Sequence, residues 1–169
     1  ALEAWGDSEA ASLPPPHRRA MYTGCSVPAD EDWTFRTPIE ESIESGQFEM
    51  QRFATHGQEL LNPLWLGKRL TNNVLAFSAK TLDLQGTNNN FEGDAAGALV
   101  AIAEAARAVA EGRADLALAG AADSLISVEA LINLARHEGR PPHWNFIPGE
   151  AAAFARLGGE GPASISIFG

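Results

Sequence analysis

The chain is short of cysteine, of basic residues and of long hydrophobic runs, and each shortage excludes a class of protein. Its 169 residues include one cysteine, Cys25, so an internal disulfide is excluded. Its 12 lysines and arginines stand against 22 aspartates and glutamates, a net charge of −10 that repels phosphate backbones and anionic lipids. No apolar run approaches the roughly 20 residues that span a bilayer. We therefore expect no nucleic-acid or membrane binding.

Signals for export and for metal binding are also missing. The sequence does not open with a basic stretch followed by an apolar one, and a lone cysteine suits a reducing compartment, so we expect a cytoplasmic protein. The histidines are spread widely, at His17, His56, His137 and His143. Because neither Cys-x-x-Cys nor His-x-x-x-His spacing occurs, we expect no metal and no cofactor. His143 lies in a proline-rich loop, where solvent contact is favoured over a catalytic role.

What the chain does contain is enough apolar material for one core. At 45% hydrophobic residues it is expected to form a single domain over 1–169. A polar, acidic excursion is expected at about 29–61, with short surface helices over 38–45 and 48–56. Apolar spacing predicts further helices over 1–12, 62–70, 73–82 and 127–136, and strands over 19–26, 115–120, 151–157 and 163–168.

The most informative stretch runs from Gly86 to Gly120. Residues 87–91 fit a strand or a turn, and pattern alone leaves both open. Asp94 is placed to cap a helix over 95–111, which holds nine alanines and stops at Gly112. The strand over 115–120 follows after two residues, which is typical of a layered parallel sheet with buried helices.

The order of these segments resembles that of β-ketoacyl synthases of the thiolase superfamily. The matching features are Gly86, the strand 87–91, the helix motif Leu99-Val100-Ala101-Ile102, the turn 111–115, the strand 116–120, Gly149-Glu150-Ala151-Ala152-Ala153 and the earlier Asn62-Pro63-Leu64-Trp65. The resemblance implies a thiolase-like half of α/β class, layered, with a mixed sheet of about five strands and a buried central helix. It also implies that Glu150 has a structural hydrogen-bonding role near the site.

The chain departs from that family at its nucleophile. Counting back from Leu99, Glu92 to Ala98 occupy the positions that usually read Asp-Thr-Ala-Cys-Ser-Ser-Ser, so Ala95 takes the position of the cysteine. Glu92 and Asp94 add negative charge beside a helix end that would otherwise favour a thiolate or an oxyanion. Asp94 could serve as a general base, although helix capping explains it fully. The two histidines and the lysine of the family's second half match no motif here, and we expect residues to be missing at the front.

The resemblance implies a subunit of fatty-acid or polyketide synthesis that lacks condensing activity by itself. Its role would be that of a chain-length factor, as a homodimer or as a heterodimer with an active ketosynthase, with an acyl carrier protein as a further partner. The expected interface is an edge strand formed by Thr87, Asn88, Asn89, Asn90 and Phe91. Two alternatives stay open: an acyltransferase or decarboxylase completed by a partner chain, and a small-ligand binding module. Cys25 could be a displaced nucleophile, but packing on a core strand is favoured.

Overall fold

The computed structural model describes residues 13–26, 35–127, 130–132, 136 and 147–158. Its residues group into two compact units, one made of 1–27, 71–124 and 149–169 and the other of 28–70 and 125–148. The helix predicted over 1–12, the strand predicted over 163–168 and most of the loop predicted over 139–148 lie outside the described residues.

The elements bounded within the described residues are six strands, five α-helices and two short 3-10 helices, Pro16–Arg18 and Gly57–Leu60; residues 130–132 and 136, within the predicted helix over 127–136, are also helical. The strands are β1 (Arg19–Thr23), β2 (Ile43–Glu44), β3 (Gln47–Phe48), β4 (Asn88–Asn90), β5 (Leu116–Ser124) and β6 (Glu150–Gly158). The helices are α1 (Arg36–Glu40), α2 (Met50–Thr55), α3 (Trp65–Lys68), α4 (Asn73–Leu82) and α5 (Asp94–Ala110).

The first unit contains a four-stranded sheet in the order β4, β1, β5, β6. Strand β1 pairs in parallel with both β4 and β5, whereas β6 runs antiparallel to β5. The predicted α/β class with a mixed sheet is therefore confirmed. Three of the four strands predicted from apolar spacing lie among the described residues, and residues 87–91, which sequence pattern left undecided, contain the strand β4.

Helices cover both faces of this sheet. Alternate residues of β1 point to opposite faces and so pack against different helices. Ala20 and Tyr22 of β1 belong to a buried cluster on one face, together with the alanines of α5 and β5. Met21 belongs to a second cluster on the other face, with Leu75 of α4. The result is a three-layer arrangement of α5, sheet and α4.

Helix α5 buries the stripe that faces the sheet. Gly97, Ala101, Ala105 and Ala108 are buried at helical spacing, whereas Leu99, on another face, is 71% exposed. The helix begins at Asp94 with Gly93 at the N-cap, so the prediction that Asp94 itself is the cap is wrong by one residue. The predicted end is confirmed, since the helix stops at Ala110 and Gly112 follows with a φ of +68°.

The second unit is built from short elements. Helix α1 ends at Glu40, earlier than the predicted residue 45, because Ser45 and Gly46 both adopt positive φ and form the turn of a β2–β3 hairpin. Ring contacts hold the unit together, with Phe35 against Trp65 at 5.0 Å between centroids and Phe48 against Phe53 at 5.8 Å.

Candidate functional site

The carboxyl ends of the three parallel strands, β4, β1 and β5, lie side by side at one end of the sheet, where α5 begins. The backbone N–H of Phe91, just after β4, donates to the carbonyl of Thr23 at 2.8 Å. The N–H of Gly24, just after β1, donates to the carbonyl of Gly120 in β5 at 2.9 Å. The carboxyl ends of parallel strands are where α/β proteins place their functional groups, so we take this end of the sheet as the candidate site.

Two glycines set the first turn of α5 directly against the backbone after β1. A Cβ on Gly24 would lie 2.2 Å from the carbonyl carbon of Gly97, and a Cβ on Gly97 would lie 2.8 Å from the carbonyl oxygen of Phe91. Only a hydrogen atom fits at the Cβ position of either glycine, so this close contact fixes where α5 begins relative to the backbone after β1. Sequence reasoning missed this pair, although a glycine inside a helix of alanines was a usable signal.

Ala95 is the second residue of α5, in the first turn, where the resemblance places a nucleophilic cysteine. The N–H groups of Ala96 and Gly97 both donate to the carbonyl of Gly93 at 3.0 Å, and these bonds form the first turn of the helix. A helix N-terminus stabilises negative charge and lowers the pKa of a cysteine placed there. The helix start taken by itself would favour a thiolate, but alanine supplies no nucleophilic atom.

Glu92 lies two residues before that helix. Its exposed carboxylate accepts a hydrogen bond of 2.6 Å from the hydroxyl of Thr71. Sequence reasoning recognised Glu92 but not its partner, because the two are separated by 21 residues. Negative charge two residues before a helix start works against the binding of an anion there.

Asn90 and Thr23 tie the ends of β4 and β1 together through their side chains. Thr23 is fully buried, and its hydroxyl donates to Oδ1 of Asn90 at 2.6 Å. The Nδ2 of Asn90 donates to the carbonyl of Cys25 at 3.4 Å. Asn90 therefore satisfies groups of its own chain at the candidate site.

Cys25 does not have the properties of a displaced nucleophile. Its side chain follows β1 and is only 3% exposed, which matches the expectation that it packs as a small apolar group. Burial raises the pKa of its thiol, and the charge of Asp123 adds to that rise. A backbone hydrogen bond from Ala122 and the Thr23 hydroxyl act the other way without cancelling it. The thiolate is therefore disfavoured at neutral pH.

Strand β4 forms one edge of the main sheet. Its three residues pair in parallel with Met21, Tyr22 and Thr23, and among the described residues no strand lies on its other side. Tyr22 fixes the start of this edge, because its hydroxyl lies 2.8 Å from that of Thr87. Of the five residues that the sequence assigned to an interface, Thr87, Asn88 and Asn89 are exposed, whereas Asn90 and Phe91 are half-buried and Phe91 packs against the buried cluster on the α5 face.

Glu150 is the first residue of β6 and lies opposite Ser124 in the antiparallel register. Its side chain is exposed, and within the described ranges no group hydrogen-bonds to it. The structural role expected for Glu150 stays a prediction.

Over the ranges that the structure describes, no three or more His, Cys, Asp or Glu side chains come together as a metal-binding group. In the same ranges no helix has the length and apolar character needed to cross a membrane. His137 and His143 lie outside those ranges.

Known proteins share this arrangement of strands and helices. The family model described as β-ketoacyl synthase, N-terminal domain, matches residues 2–156. One similar structure is AntDE:AntF, a type II PKS acyl-carrier protein in complex with its ketosynthase bound to the hexaketide. It has a TM-score of 0.61, 18% identity and coverage of 86% of this chain. A second is the ishigamide ketosynthase/chain length factor, with a TM-score of 0.53, 16% identity and coverage of 86%.

The match spans only part of those structures, 41% of the first chain and 37% of the second. At such low identity the two structures establish the fold alone, and no curated protein matches the chain. The family model, in contrast, matches most of the sequence. This chain therefore belongs to the β-ketoacyl synthase family and corresponds to the N-terminal domain of that family.

Proposed function

We propose that the chain is a ketosynthase-like subunit of polyketide or fatty-acid synthesis that does not condense acyl groups by itself and acts through its shape and its dimer interface, as chain-length factors do. The observation that carries this proposal is the alanine at position 95, in the first turn of α5. Family members use a cysteine there to form the acyl-enzyme. Without it the whole covalent route is lost, since that route begins with an activated thiolate.

The surroundings of Ala95 support the same proposal. Glu92, two residues before the helix, accepts a hydrogen bond from Thr71, and Asp94 is the first helical residue. By sequence, two acidic residues flank this helix N-terminus, and negative charge there works against an oxyanion. Cys25 offers no replacement nucleophile, because it is buried and its pKa is raised.

The proposed partners follow from the exposed edge strand and from the family. We expect β4 to pair antiparallel with the corresponding strand of a second subunit, either a copy of this chain or an active ketosynthase. An acyl carrier protein is the further partner that such an assembly would serve, in the cytoplasm. The two similar structures are an acyl-carrier protein with its ketosynthase and a ketosynthase/chain length factor. At their low identity these names suggest partners to test.

Intact-protein mass spectrometry after incubation with an acyl thioester tests the proposal. We expect no adduct on the purified chain, none on the matched Cys25→Ala variant, and an adduct on an active ketosynthase treated in parallel. Ala95→Cys provides a sharper second arm, since it restores the thiol while Glu92 and Asp94 remain. We expect no condensation by Ala95→Cys. An acyl adduct on the natural chain that survives Cys25→Ala would contradict the proposal, and condensation by Ala95→Cys alone would show that Glu92 and Asp94 do not prevent catalysis.

A further inference from the structure

We draw no further inference here: the strongest candidate, the apolar face of helix α5 on which Leu99 and Val100 are 71% and 42% exposed, carries none because nothing in the described residues shows what covers it.

Discussion

The two faces of the main sheet are packed by side chains of different sizes. On the α5 face the buried residues are seven alanines and one tyrosine, namely Ala20, Tyr22, Ala101, Ala105, Ala108, Ala114, Ala117 and Ala119. On the α4 face they are Met21, Leu75, Leu84 and Leu118. Small residues let a helix approach the sheet closely but bury little area each, whereas large ones stabilise through area and leave cavities when truncated. The α5 face should therefore be intolerant of added volume, and the α4 face of lost volume.

The largest effect is expected from truncation on the α4 face. Leu118 is fully buried, so Leu118→Ala should lower the free energy of unfolding by about 2 to 5 kcal/mol. Urea denaturation measures the change. Leu99→Ala on the exposed side of α5 is the control, and it should change stability by less than about 0.5 kcal/mol. Equal stability of the two variants would mean that lost volume on the α4 face is tolerated, contrary to this comparison.

Added volume on the α5 face is expected to have the next largest effect. Ala105 is fully buried between α5 and the sheet, so Ala105→Leu should cost roughly 1 to 3 kcal/mol in urea denaturation because the close packing leaves no room for a branched side chain. Ala110→Leu, at an exposed position of the same helix, makes the same change without overpacking and should be nearly neutral. A stable Ala105→Leu would mean that α5 can move away from the sheet.

The closest approach on the α5 face lies between Gly24 and Gly97. Because a Cβ on Gly24 would lie 2.2 Å from backbone, Gly24→Ala should cost about 1 to 3 kcal/mol, measured by thermal and urea denaturation. Gly67→Ala is the matched control, since nothing lies within 4 Å of its Cβ position and it sits in helix α3. That control should gain about 0.5 to 1 kcal/mol from higher helix propensity. A loss of stability in both variants would point to a general cost of replacing glycine in this chain.

The smallest effect is expected at the exposed end of the α5 face, where the chain turns from α5 into β5. The Arg18 guanidinium bonds both carboxylate oxygens of Asp115, at 2.6 and 3.1 Å, and holds the pKa of that carboxyl below its usual value. A lowered pKa in the folded state stabilises above the unfolded pKa, about 3.9, and this contribution is lost as the pH falls through the folded value.

Asp115→Asn should therefore be slightly less stable than the natural chain at pH 7, and the difference should shrink on acidification below about pH 4. Stability curves of the two proteins against pH measure it. Glu40→Gln, which removes the exposed pair between Arg36 and Glu40, is the control. A difference that grew in acid would mean that Asp115 acts through packing and not through its charge.

The sequence alone determined the class of the fold and most of its central elements. An alanine-rich helix is followed by a two-residue connection and an apolar strand. The spacing of their apolar residues and the glycine at the end of the helix therefore predict α5 and β5. The position of Ala95 also needed only sequence, because it was counted from a local motif. The hairpin after α1 was missed, since it depends on positive φ at Ser45 and Gly46, and serine gives no warning of that.

Only the tertiary structure decided what the candidate site is made of. Gly24 meets Gly97, Thr23 bonds Asn90 and Thr71 bonds Glu92 across long stretches of chain, and no local pattern encodes such pairs. The tertiary structure also distinguishes adjacent asparagines, since the Asn90 side chain is hydrogen-bonded within the chain and Asn89 is exposed. Periodicity assigns residues to the faces of an element because spacing along the chain sets direction. Which partners meet at an edge depends on how parallel strands are brought together, and that is decided by packing between distant segments.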